Sequence, residues 1–155
     1  MSVDTKSVAG RRELHFESYR ELLDDVRSLA ARPRRQLGNW TLGQICQHLA
    51  GAIDMAVDGP SFKPPFFLRL IGPLLKKRFL KRFPPGYKVP PGAGSLIPGT
   101  DEDAVGVAAL EKAVARLEAT PERKPHVLFG RLSREEWDQF EFRHAEMHLS
   151  FIVPQ

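Results

Sequence analysis

The stretch Ser133-Arg134-Glu135-Glu136-Trp137-Asp138-Gln139-Phe140-Glu141-Phe142-Arg143-His144-Ala145-Glu146-Met147-His148-Leu149-Ser150-Phe151 decides how this chain is read. It opens with Ser133 and Glu136 at the spacing of a capping box, in which each side chain takes the backbone N–H of the other. At about 100° per residue, Trp137, Phe140, His144, His148 and Phe151 then share one narrow sector. The pattern predicts a helix from Ser133 to about Ile152, with both histidines turned toward the core. An i, i+4 pair stacks two imidazoles at a spacing that can chelate one ion. The pair alone is a weak signal, since two core histidines each bonded to a neighbour leave the same pattern. An unpaired buried polar group costs about 1–3 kcal/mol, and one metal would satisfy both rings. The acid in His144-Ala145-Glu146-Met147-His148 stands one place later than in the HExxH of metalloproteases. The same helical arithmetic turns Glu146 roughly 180° from the histidines, toward solvent, so protease chemistry is set aside.

Working back along the chain, Ser18-Tyr19-Arg20-Glu21 is another capping box, and Tyr19, Leu22, Leu23, Val26, Leu29 and Ala30 form one apolar stripe before Pro33. Thr41-Leu42-Gly43-Gln44 starts a second helix that runs to about Asp58, with Leu42, Ile45, Cys46, Leu49, Ile53 and Ala56 on its apolar face and Gly59-Pro60 as its breaker. A third follows Thr100, an N-cap leading into Asp101, Glu102 and Asp103, and carries Val107, Leu110, Val114 and Leu117. Four amphipathic helices without a convincing strand set predict an all-α fold, a four-helix bundle forming one domain over residues 1–155. Residues 1–17 read as an N-terminal arm, with Leu14-His15-Phe16 extended. Nine of the 13 prolines lie between Pro60 and Pro98, so residues 59–99 are expected to be a long Pro-rich connection between helices 2 and 3. Phe66 to Phe83 is the one helical candidate there, but Pro64, Pro65 and Pro73 would split or kink it, which predicts short helical pieces.

Composition sets outer bounds. The chain has 155 residues, of which 42% are hydrophobic and 27% charged, the mix of an ordinary globular protein. A lone cysteine, Cys46, excludes a disulfide framework and a multi-cysteine zinc site within the chain, which points to a reducing cytoplasm. Arg11-Arg12 has no apolar run after it and does not read as an export signal. Phe66 to Leu75 is too short for a bilayer and is broken by Arg69 and Pro73. The net charge of +4 is modest for a nucleic-acid binder. Lys76, Lys77, Arg78, Lys81 and Arg82, interleaved with Phe79, Leu80 and Phe83, raise an alternative of another class: a non-enzymatic protein that binds nucleic acid or an anionic surface. The same run also reads as a solvated face, or as a holder of an acidic cosubstrate. Apolar residues exposed in this middle segment would let the chain form a homodimer.

A third ligand for the histidine pair has to come from another helix. His48 lies beside Ala52 and Met55 on the border of the second helix's stripe, where a histidine taken alone is more often a surface or satisfied core residue than a ligand. Cys46 sits roughly 160° around that helix from His48 and cannot share an ion with it easily. At this point the chain resembles the DinB/YfiT-like superfamily of four-helix metalloproteins, in particular a domain-of-unknown-function branch of it. The resembling motifs are Arg12-Glu13-Leu14-His15-Phe16, the run Gly38 to Ala50 around Trp40 and His48, Pro125 to Gly130 with Trp137, and His144 to Phe151. The resemblance implies that His48, His144 and His148 form a three-histidine site for zinc or nickel, completed by water and open at one position or more. Such a site suits a small-molecule hydrolase or a transferase that uses a low-molecular-weight thiol as cosubstrate. His126 is a candidate for a supporting role, and Asp54 for a carboxylate that orients a ligand, although a loop histidine without a metal role and a solvated aspartate are the expectations favoured for them. His15 is assigned to the arm without a function.

Overall fold

Side-chain caps set where three of the helices start. In a computed structural model, which describes residues 2–99 and 102–155, Ser18 accepts the Glu21 N–H at 3.2 Å and opens α1, Tyr19–Ala30. Glu21 returns to the N–H of Glu17. Thr41 and Ser133 each make the full reciprocal box, with Gln44 and Glu136, and open α2, Leu42–Asp58, and α5, Arg134–Leu149. Each cap is worth about 1 kcal/mol. Between α2 and α5 lie α3, Phe66–Lys81, and α4, Asp103–Ala119. The N-cap of α4 is Glu102; Thr100 and Asp101, expected to open this helix, lie outside the described residues.

The apolar stripes meet in one principal core. Tyr19, Leu22, Val26 and Leu29 of α1 join Leu42, Ile45, Leu49 and Ile53 of α2, Leu110, Val114 and Leu117 of α4, and Trp137, Phe140 and Leu149 of α5. The most extensive helix pair is α2 with α4. Its closest point is Gly106 against the backbone of Gly43, where a Cβ on Gly106 would clash with the Gly43 carbonyl. Asp103 locks the same end: its carboxylate accepts the Gly43 N–H at 3.0 Å and pairs with Arg34. A smaller cluster of Ala52, Phe62, Ala93 and Leu96 fastens residues of the Pro-rich segment to α2.

The mostly helical class agrees with the sequence, but three expectations need correction. Residues 59–99 are not merely short helical pieces and loop, because α3 is a continuous 16-residue helix with Pro73 inside it. Pro73 leaves the Arg69 carbonyl without its helical donor, yet Arg69 and Pro73 are both exposed, so water can take that bond. The described elements are therefore five helices rather than four. Second, the sequence showed no convincing strands, and α5 was expected to run to about Ile152. Instead α5 stops at Leu149, and β1, Arg34–Gln36, pairs antiparallel with β2, Ile152–Pro154. Three-residue strands are too short to display a period of two. Third, Glu146 does not face solvent. The arm crosses α5, and Glu146 accepts the Phe16 N–H at 2.7 Å and pairs with Arg143 at 2.8 Å. Among the described residues no helix is long and apolar enough to cross a membrane.

Because backbone meets backbone at Gly43 and Gly106, a methyl group there forces α2 and α4 apart. Gly106→Ala should lower the unfolding free energy by about 1–3 kcal/mol in chemical denaturation, despite the better helix propensity of alanine. An unchanged midpoint would show that the helices do not meet this closely.

Candidate metal centre

His48 projects from α2, and His144 and His148 from successive turns of α5, toward a common point. The His144 Nε2 lies 3.1 Å from the Nε2 of His48 and 3.1 Å from that of His148. The three rings meet edge to face, at interplanar angles of 63° to 76°. One ligand atom from each ring lies within 4.8 Å of the others, a grouping that could hold a metal ion.

The tautomer of one ring follows from its surroundings. His48 Nδ1 is 2.7 Å from the carbonyl of Leu96, which can only accept, so Nδ1 donates and Nε2 presents a lone pair. His144 Nε2 therefore has to carry the hydrogen if the contact with His48 is a hydrogen bond. That single hydrogen then faces His148 as well and cannot serve both contacts fully. A cation among the three would take a lone pair from every ring. The donor set thus fits a divalent ion better than it fits itself.

Aromatic walls hold the rings. Phe83 stacks on His144 at 4.8 Å, and Trp40 stacks on His148 at 5.4 Å while tilting against His48. Burial disfavours the charged imidazolium throughout. With His144 adding a smaller push, it holds His48 down at about 3. Burial alone lowers His144 to about 4. His148 is held well below its ordinary value by burial, then by His144, His48 and Arg11. All three rings are therefore neutral at pH 7, as metal ligation requires. Behind His144, the Glu141 carboxylate lies 3.9 Å from Nδ1. Glu141 is 2% exposed, its oxygens and His144 Nδ1 have no hydrogen-bond partner among the described residues, and burial with Asp138 nearby pushes its pKa up to about 8.

The other sequence candidates lie apart from this cluster. His126 is buried in the turn before α5, where Nδ1 accepts the N–H groups of Leu128 and Phe129 at 3.1 Å each and the ring stacks on Phe129. Its lone pair is committed to that turn, and Phe140 packs against both this ring and His144. Asp54 faces outward and pairs with Arg116 at 3.0 Å. Cys46 is fully buried, which pushes its thiol up to about 12. His15 is exposed on the arm, within 3.0 Å of Arg143. Sequence reasoning gave no role to Trp40, Phe83, Leu96 or Glu141. Only Glu141 carried a local signal, standing three residues before His144 on the same helical face.

A cleft of about 710 Å³ opens beside His148 and Trp40, with Met147, Tyr87, Lys88 and Lys6 among its walls. Residues 86–89 of the Pro-rich segment form part of that wall.

Helices and cluster together define a mostly helical protein with a buried three-histidine group able to hold a metal. Residues 8–155 match the family described as "Protein of unknown function (DUF1569)", and the chain belongs to that family. Comparison with curated proteins and with solved structures gave no match.

His126 provides a test of the burial of this region that is separate from the three rings. Burial, then His144, hold its pKa at about 3 against 6.5 when exposed. The unfolded chain gains a proton that the folded chain refuses as the pH falls below 6.5, so stability is lost toward acid. In metal-free protein, wild type should lose about 1.4 kcal/mol per pH unit more than His126→Asn over that window, measured by denaturation at several pH values. Equal slopes would show that His126 titrates freely in the folded state.

Proposed function

We propose that this protein is a metal-dependent enzyme that holds one divalent cation on His48, His144 and His148 and acts on a small molecule in the adjoining cleft. The observation that carries this reading is the convergence of three neutral Nε2 atoms, with the His48 lone pair aimed inward by the Leu96 carbonyl. Three protein ligands leave room for water or substrate, whereas structural zinc sites are closed by four. Imidazole donors suit zinc and nickel alike. The resemblance of the His48 and His144-to-His148 motifs to the DinB/YfiT-like superfamily supports the same ligand set.

A cation bound here would supply Lewis acidity, enough to ionise water or a thiol near pH 7. The chain's own groups position that chemistry. Leu96 fixes the His48 tautomer, Glu141 faces the Nδ1 of His144 from behind, and Trp40 and Phe83 keep water from the flanks of the rings. Two reactions suit the site: hydrolysis of a small-molecule ester or amide, and transfer using a low-molecular-weight thiol. For the second, Cys46 is buried and un-ionised, so the thiol would arrive from solution through the cleft. Lys6 and Lys88 outnumber the single acid, Asp4, on its walls, a balance that favours an anionic reactant. The cytoplasm, with its thiol pool, is the compartment this chemistry fits.

Protein purified without an affinity tag should carry about one divalent metal per chain by elemental analysis. His48→Ala and His144→Ala should each reduce this to background, while His126→Asn retains it, with helical content equal in all three. Full metal retention in His144→Ala would sink the assignment. Metal-loaded protein should turn over an activated ester or a thiol-plus-electrophile pair, and the His48→Ala protein should not.

A further inference from the structure

Helix α3 turns only one side to the protein. Its buried residues are Gly72, Phe79 and Leu80, and Gly72 lies so close to the Leu128 carbonyl that no Cβ fits between them. At about 100° per residue the opposite side collects Phe66, Phe67, Leu70, Ile71 and Leu74, which are 77%, 62%, 69%, 41% and 82% exposed. An apolar surface of this kind on one helix face marks an interaction site rather than scattered surface residues. Toward the C-terminus the same side continues as Lys77, Arg78 and Lys81, all exposed. Lys76, on the inner side, pairs with Glu136 at 2.7 Å.

The composition of this element says what covers it. From Phe62 to Phe83 every residue is apolar, glycine, proline, lysine or arginine. Residues 59–99 contain eight Lys and Arg and no Asp or Glu, in a chain whose net charge is only +4. The rest of the chain is therefore net negative, and the positive charge is concentrated around α3. A protein interface carries roughly one hydrogen bond per 100–200 Å², and the apolar half of this face, Phe66, Phe67, Leu70, Ile71 and Leu74, offers no side-chain donor or acceptor. A second copy fits poorly too. Parallel helices would align the basic halves of both, and antiparallel helices would press the apolar half of each on the basic half of the other. A bilayer needs no shape match and no acceptors, and anionic headgroups supply the opposite charge.

We propose that α3 seats the protein on an anionic lipid surface, with Phe66, Phe67, Leu70, Ile71 and Leu74 in the acyl boundary and Lys77, Arg78 and Lys81 against the headgroups. The helix lies in the plane of the interface rather than spanning it. Seating of this kind is independent of the histidine cluster, so loss of either leaves the other intact.

The test is flotation of the full chain with vesicles of phosphatidylcholine alone or mixed with phosphatidylglycerol. Wild type should float with the mixed vesicles at low salt and detach as salt rises. Replacing Lys77 or Arg78 by Gln should weaken partition about five-fold for each charge removed. The double variant Phe67→Ser, Leu74→Ser should abolish flotation while metal content and unfolding midpoint stay at wild-type values, since both side chains are exposed. Three results would overturn the proposal. One is no flotation of wild type at low salt. Another is salt-sensitive binding that the apolar double variant leaves intact, which marks anion contact without insertion. The third is a concentration-dependent dimer, removed by the apolar double variant, in protein that ignores both vesicles.

Discussion

Burying three imidazoles with their Nε2 atoms turned toward one another restricts this structure more tightly than any apolar contact does. Each ring has to be neutral, because the surroundings offer too little water to support an imidazolium. Each also has to be oriented, and the orienting groups come from distant parts of the chain. The Leu96 carbonyl reaches His48 only if the short helical turn at Gly94–Leu96 lies across α2. That approach depends on Gly51, where a Cβ would stand 2.7 Å from the Ser95 carbonyl. The small cluster of Ala52, Phe62, Ala93 and Leu96 then holds the segment down. The Pro-rich region is thus part of the site's support and not merely a connection between two helical halves.

What could be read from the sequence followed from the range over which each signal acts. Capping boxes and apolar stripes are local, and they located α1, α2 and α5 to within a few residues. For α4 the stripe was sufficient although its expected cap falls outside the described residues. The i, i+4 spacing placed His144 and His148 on one inward face for the same reason. His48 stood on a border, where helical geometry gives no decision, and only the family resemblance selected it. Helix α3 was expected in pieces because of Pro73, since a proline penalty is judged without knowing that Arg69 and Pro73 are both exposed. Glu146 shows the converse limit: helical arithmetic gave its direction correctly relative to the histidines, but could not reveal that the arm covers that side. Trp40, Phe83 and Leu96 reach the rings through tertiary packing, which leaves no periodic trace.

A second polar layer stands behind the histidines on the α1 side. Tyr19 donates to Asp138 at 2.9 Å, and burial with the nearby acids raises the pKa of its phenol. Glu141 sits beside these groups with both oxygens unpartnered among the described residues. An isolated buried carboxyl is costly unless something balances it. Burial keeps this one protonated at neutral pH, and positive charge introduced on the far side of His144 would favour its ionisation through the ring, which makes the carboxyl and the rings parts of one electrostatic unit.

The chain has two tryptophans, and their settings differ sharply. Trp137 is sealed in the core, with its Nε1 donating to the Lys124 carbonyl at 3.1 Å. Trp40 is half-buried, lies nearly parallel to the His148 ring at 15° and also touches His48. One indole is therefore a steady background emitter, and the other is a fluorophore in contact with the candidate ligands. An ion bound at the cluster would therefore be reported optically by the protein itself, without label or substrate.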